Sequence, residues 1–111
     1  MIGSVNEARR KIAQICSAML EGSTSYIVGA RQIVRLRFDA RLEHDPDILP
    51  FVGADSETDA LPLSEDIKRL WSPNALEKLQ PEIDRAEQWA RNFLEPRCQA
   101  LVTRFGSESS N

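Results

Sequence analysis

Apolar residues recur at three- and four-residue steps through most of the chain. Val5, Ala8, Ile12, Ile15, Cys16 and Met19 form the first such stripe. That spacing puts them on one face of a helix and leaves Arg9, Arg10 and Gln14 elsewhere on its surface. Ser4 and Glu7 have the spacing of a capping box and predict the start of this helix, and Gly22 predicts its end. Ser23, Thr24 and Ser25 are alternative N-caps for a second helix reaching about Leu42, with Ile27, Ala30, Val34, Phe38 and Leu42 inward. Gly29 lowers the propensity of that helix by about 1 kcal/mol relative to alanine, which points to a close crossing with its neighbour.

From Glu43 to Leu63 the helical period is interrupted by Pro46, Pro50, Gly53 and Pro62. A connection of this length inside a small domain is expected to carry function or structure of its own. The expectation is a long acidic loop holding one helical turn near Asp47 to Val52, pinned to the core by Phe51 and its apolar neighbours. Ser64 then caps a short third helix containing Ile67, Leu70 and Trp71. Ser72 before Pro73 and Gln80 before Pro81 each have the form of a helix start, giving either separate helices or one kinked element. The stripe from Ile83 through Ala86, Ala90, Phe93, Leu94, Leu101, Val102 and Phe105 continues past Pro96, where a bend or break near Leu94 is expected. No segment alternates with period two. The predicted fold class is all-α: a compact bundle of four or five helices in one domain over residues 1–106, with a disordered tail at 107–111.

The chain has 111 residues and 41% hydrophobic content, enough for one core and too little for a two-domain enzyme. Its net charge of −3 conceals a strong asymmetry. Residues 1–42 hold seven basic and three acidic side chains, residues 43–66 hold eight acidic and none basic, and residues 67–111 hold seven basic and six acidic. Eight carboxylates without a local cation need a counter-charge, from a partner or from within the fold. Arg31, Arg35, Arg37 and Arg41 on the second helix are the in-fold candidates. The acidic balance, the scarcity of aromatics and the lack of a glycine-rich phosphate loop argue against nucleic acid as a partner. No apolar run predicts a membrane span or a signal peptide, so a cytoplasmic location is expected.

Cys16 and Cys98 have no metal-ligand spacing and sit at helical core positions, where they read as buried thiols, with a bridge between them geometrically open. His44 is the only histidine. It stands among Glu43, Asp45 and Asp47, where it reads as a surface or capping residue rather than a catalytic one. Trp71 and Trp89 lie at core spacing, and either becomes an interface anchor if it is exposed beside the acids. Asp55, Glu57 and Asp59 alternate, and Asp66 stands twelfth from Asp55 as in a calcium-binding helix–loop–helix. Ala60 replaces the required glycine at the sixth position, and Asp66 replaces the bidentate glutamate at the twelfth.

The stretch Pro50, Phe51, Val52, Gly53, Ala54, Asp55, Ser56, Glu57, Thr58, Asp59, Ala60, Leu61, Pro62, followed by Trp71, resembles a family of small uncharacterised bacterial proteins. In size, acidity and helical character the chain also resembles, by general type, immunity proteins of bacterial toxin systems. That second likeness implies a non-enzymatic inhibitor that neutralises a cognate toxin by covering a basic surface. Asp55, Glu57, Asp59, Glu65, Asp66 and Trp71 are then the partner-binding residues, with no catalytic residue, metal or cofactor required. The alternative is a small metal-dependent enzyme or metal-binding module built on the carboxylate segment.

Overall fold

The computed structural model describes residues 2–106. It is 75% helical, with no strand among the described residues. Five helices follow in order along them: α1 (Ile2–Glu21), α2 (Tyr26–Leu36), α3 (Leu49–Thr58), α4 (Glu65–Lys68) and α5 (Pro73–Leu101), closed by a π-helical turn at Val102–Gly106. The expected tail at 107–111 lies outside the described residues.

The α1 stripe buries Ala8, Ile12, Cys16 and Met19. The helix begins at Ile2, so Ser4 lies within its first turn and the expected capping box does not form. Adding one more turn to an established helix costs little once the nucleus exists. At the other end Gly22 adopts φ +84°. Its N–H donates to the Met19 carbonyl and that of Ser23 to the Ala18 carbonyl, which satisfies the two orphan acceptors as a left-handed glycine cap does.

Of the three candidate caps for α2, Ser25 takes the role, its hydroxyl accepting from Val28 N at 3.2 Å. Gly29 serves the close crossing with α1. A Cβ built there would stand 2.7 Å from Met19 Cγ and nearer still to its Sδ. The helix stops at Leu36 rather than Leu42. Ala40 and Leu42 are both buried, and two residues of one turn spaced by two cannot share a helix face. The chain instead reverses through Arg41, which adopts φ +54°, and Arg9 Nε holds the turn by donating to the Ala40 carbonyl at 2.9 Å. Phe38, expected inward, is consequently 59% exposed, with the Arg37 guanidinium 4.3 Å from its ring centre.

The anticipated acidic loop is largely a helix. Pro50 occupies the first turn of α3, where its missing N–H is harmless. Phe51, Ala54 and Thr58 turn inward, and the Thr58 hydroxyl donates to the Ala54 carbonyl at 2.8 Å, so this buried hydroxyl has its partner.

Ser64 and Ser72 cap α4 and α5 as expected, accepting from Ile67 N and Ala75 N. Neither Pro81 nor Pro96 ends α5, which runs unbroken through both. Both prolines are exposed, and so are Glu77 and Asn92, whose carbonyls lose their partners. Their exposure leaves these carbonyls accessible to solvent, while Ala90, Leu94, Cys98 and Leu101 hold the C-terminal half against the core. Trp89 and Phe93 lie one residue round the helix from that stripe and remain 42% and 46% exposed, stacked at 5.4 Å. Trp71 is 39% exposed, so neither tryptophan is the core residue that its spacing suggests. Cys16 and Cys98 are free thiols, both buried.

Candidate functional site

Seven of the eight acids of residues 43–66 separate into three groups, two of which the fold neutralises, while the eighth, Glu43, is half-buried with its Oε2 enclosed and without a hydrogen-bond partner. Asp45 and Asp47 straddle the entry to α3. Arg104 grips Asp45 through both carboxylate oxygens, at 2.8 and 2.9 Å, and reaches Asp47 at 2.8 Å. Arg97 approaches Asp47 at 3.5 Å. The hydrogen bond from Arg104, assisted by the Asp47 backbone N–H and the nearby cations and opposed by partial burial, holds the Asp45 carboxyl below the usual range. Asp45 Oδ1 also accepts from Asp47 N at 2.9 Å, which closes the turn.

The second group sits at the C-terminus of α3. Arg31 donates to the Thr58 carbonyl at 2.5 Å and to the Leu61 carbonyl at 3.2 Å, and its Nε stands 3.8 Å from Asp55. A cation at a helix C-terminus satisfies orphan carbonyls and complements the dipole at once. Of the four arginines expected to meet the acidic segment, Arg31 is the one that does so. Arg37 donates to the Val34 carbonyl at 2.6 Å. Arg35 and Arg41 are exposed, with no ion pair to these acids among the described residues. The principal counter-charges come instead from Arg97 and Arg104, near the end of the chain.

The third group faces solvent. Glu57 and Asp59 are exposed at the end of α3. Glu65 and Asp66 open α4, where the helix dipole favours them. They stand 3.9 Å from Lys68 and Arg69 in pairs too exposed to hold either acid in place. This short helix buries none of its residues. Leu70 immediately after it is 81% exposed, with Ile67 and Trp71 also projecting into solvent. Of the six predicted site residues, Glu65, Asp66 and Trp71 therefore share α4 and its exit. Glu57 and Asp59 end the preceding helix, and Asp55 is drawn onto Arg31. Because Asp55 and Glu57 are helical and Asp59 continues the helical backbone as the C-cap, Glu57 points about 200° round the axis from Asp55 and away from Asp59. Among the described residues no three His, Cys, Asp or Glu side chains converge as a metal-ligand set.

A cleft of about 740 Å³ opens beside α4, between the α1–α2 connection and the middle of α5. Leu63, Lys68 and Ile83 line one side, and Leu20, Tyr26 and Val28 the other. Glu87 ties its walls together. Its carboxylate accepts from Ser25 Oγ at 2.7 Å, Tyr26 N at 2.6 Å and Ile27 N at 3.3 Å, and so caps α2 from α5. Sequence reasoning missed this residue because the contact spans some sixty positions. The serine cluster before α2 signals a cap, and nothing local signals a second one.

Among the described residues no helix is long and apolar enough to cross a membrane. Comparison with family models, curated proteins and solved structures returns no match to this chain.

Proposed function

We propose that this chain is a non-enzymatic protein-binding module, most concretely an immunity-type inhibitor that covers a basic surface of a cognate toxin. The observation that carries this reading is the α4 exit, where Leu70 is 81% exposed and Trp71 39% exposed beside Glu65 and Asp66. Leu70 leaves most of its apolar surface in water and Trp71 more than a third of its own, surface that the fold does not cover. At the exit of the short helix that carries Glu65 and Asp66, they have the make-up of an interface centre, with acids that steer a basic partner and apolar groups that hold it. Glu57 and Asp59 remain exposed and open to a partner, while Asp55, beside Arg31, serves the fold more than the partner.

The test is capture of interacting proteins from the source cells by immobilised wild type, Leu70→Asp and Trp71→Ala, with circular dichroism checking that both variants stay helical. A basic protein retained by wild type, released by raised salt and lost from both variants supports the reading. Equal retention by all three forms, or no basic partner, sinks it. Trp71→Ala is expected to weaken binding by about 2 kcal/mol, or some thirtyfold.

A further inference from the structure

Three sulfur atoms meet inside the fold. Cys16 and Met19 lie one turn apart on the inward face of α1, Cys98 faces them from α5, and all three side chains are buried. Cys98 Sγ stands 4.0 Å from Met19 Sδ. The Cys98 thiol beside it, together with burial, pushes the Cys16 thiol far above the ordinary cysteine range. Gly29 presses α2 onto the Met19 thioether, so the third sulfur is fixed from behind.

What sulfur offers beyond the bulk of an aliphatic group is affinity for soft cations, and a set of two thiols and one thioether is suited to Cu(I). Metal–sulfur bonds of about 2.3 Å in a trigonal plane put the sulfurs about 4 Å apart, which matches the Cys98–Met19 separation. A route also exists. Met19 and Tyr26 belong to the wall of the large cleft, and Met19 also touches Cys98, so one side chain borders both the opening and a buried thiol. We propose that Cys16, Met19 and Cys98 form a three-sulfur site for Cu(I), entered from the cleft past Met19. Binding releases the two thiol protons to solvent, and the cation cancels one of the two charges formed. The ion enters and stays as Cu(I), so no electron is transferred.

The test is anaerobic titration of the full chain with Cu(I) against a chromophoric Cu(I) chelator, followed by X-ray absorption of the loaded protein. The expected result is one copper retained per chain, bound by three sulfurs at about 2.3 Å, with the far-ultraviolet dichroism unchanged. Met19→Leu keeps the apolar volume. It should leave two sulfurs on the metal and weaken retention by at least about tenfold, the low end of what loss of even an outer-shell partner costs. Cys98→Ser should abolish retention. Should that variant fail to fold, the sulfur count in Met19→Leu decides the matter. No copper held by wild type, equal retention by Met19→Leu, or retention only with loss of helix overturns the site. Leu70→Asp should hold copper like wild type, so failure of the partner-binding reading leaves this result standing.

Discussion

Gly29→Ala puts a methyl group where the structure has no room for one. The new Cβ would stand 2.7 Å from Met19 Cγ and 3.0 Å from Met19 Cε, and Met19 is itself buried. The added methyl improves helix propensity by about 1 kcal/mol. Forcing it into a filled core costs about 1–3 kcal/mol, so the balance is a destabilisation of about 1 kcal/mol. Gly53→Ala is the internal control. Gly53 is also helical, but it is exposed, and nothing lies within 4 Å of the place its new methyl would take. Only the propensity gain of about 0.5–1 kcal/mol remains there. The same chemical change should thus move stability in opposite directions, separating the two melting temperatures by roughly 8 °C in a domain this small. Urea unfolding of both variants measures the difference directly. Adding Met19→Ala should remove the penalty at Gly29, giving a coupling energy of about 1–2 kcal/mol between the two sites. If Gly29→Ala stabilises as much as Gly53→Ala, or shows no coupling to Met19, the close crossing of α1 and α2 is not what the glycine serves.

Glu87→Ala strips the first amides of α2 of their acceptor and should cost about 1–2 kcal/mol by urea denaturation, with hydrogen exchange accelerating at Tyr26 and Ile27. Asp45 has its carboxyl pKa depressed in the folded state, so the stability it contributes is complete above the unfolded aspartate pKa and is lost as pH falls through the lower folded value. The acid limb of a pH–stability curve should therefore flatten in Asp45→Asn, and an unchanged limb would show that Arg104 does not hold this carboxylate. Arg104 is partly exposed, so Arg104→Met should cost no more than about 1 kcal/mol, measured as a shift in the urea midpoint.

Four helix ends are readable in the chain, whereas the start of α1 and the end of α2 are not. Gly22, Ser25, Ser64 and Ser72 cap the elements that their residue types announce, because capping is local chemistry that needs no knowledge of the fold. Helix α3 is hidden by its own surface. Its inward residues Phe51, Ala54 and Thr58 have helical spacing, but one is a threonine and Gly53, Asp55, Ser56 and Glu57 lie between them, so the stretch reads as solvated loop. Pro50 at its start is the available signal. The pairing of Asp45 and Asp47 with Arg97 and Arg104 joins positions some fifty to sixty residues apart, beyond the reach of any local rule. The extent of α5 is not legible because a proline's effect depends on which side of the helix faces water. At the candidate site, the acids of α4 and the anchoring role open to an exposed Trp71 are visible in sequence, whereas Leu70 as its most exposed apolar residue and the cleft alongside are not.

Helix α5 spans 29 residues, roughly 43 Å at 1.5 Å per residue, in a molecule whose longest dimension is 49 Å. Its buried residues all fall between Ala90 and Leu101, and the half from Pro73 to Asp84 holds only exposed and half-buried side chains, among them Leu76, Leu79 and Ile83. Together with α4 it forms a lever whose outer end is free to melt at little expense to the core, and amide exchange should rise steeply along α5 from Leu101 toward Pro73. A partner gripping Leu70 and Trp71 would then do more than cover a surface. It would be selecting one shape from a fluctuating arm, and the ordering of that arm would set how fast the partner, once seated, is able to leave.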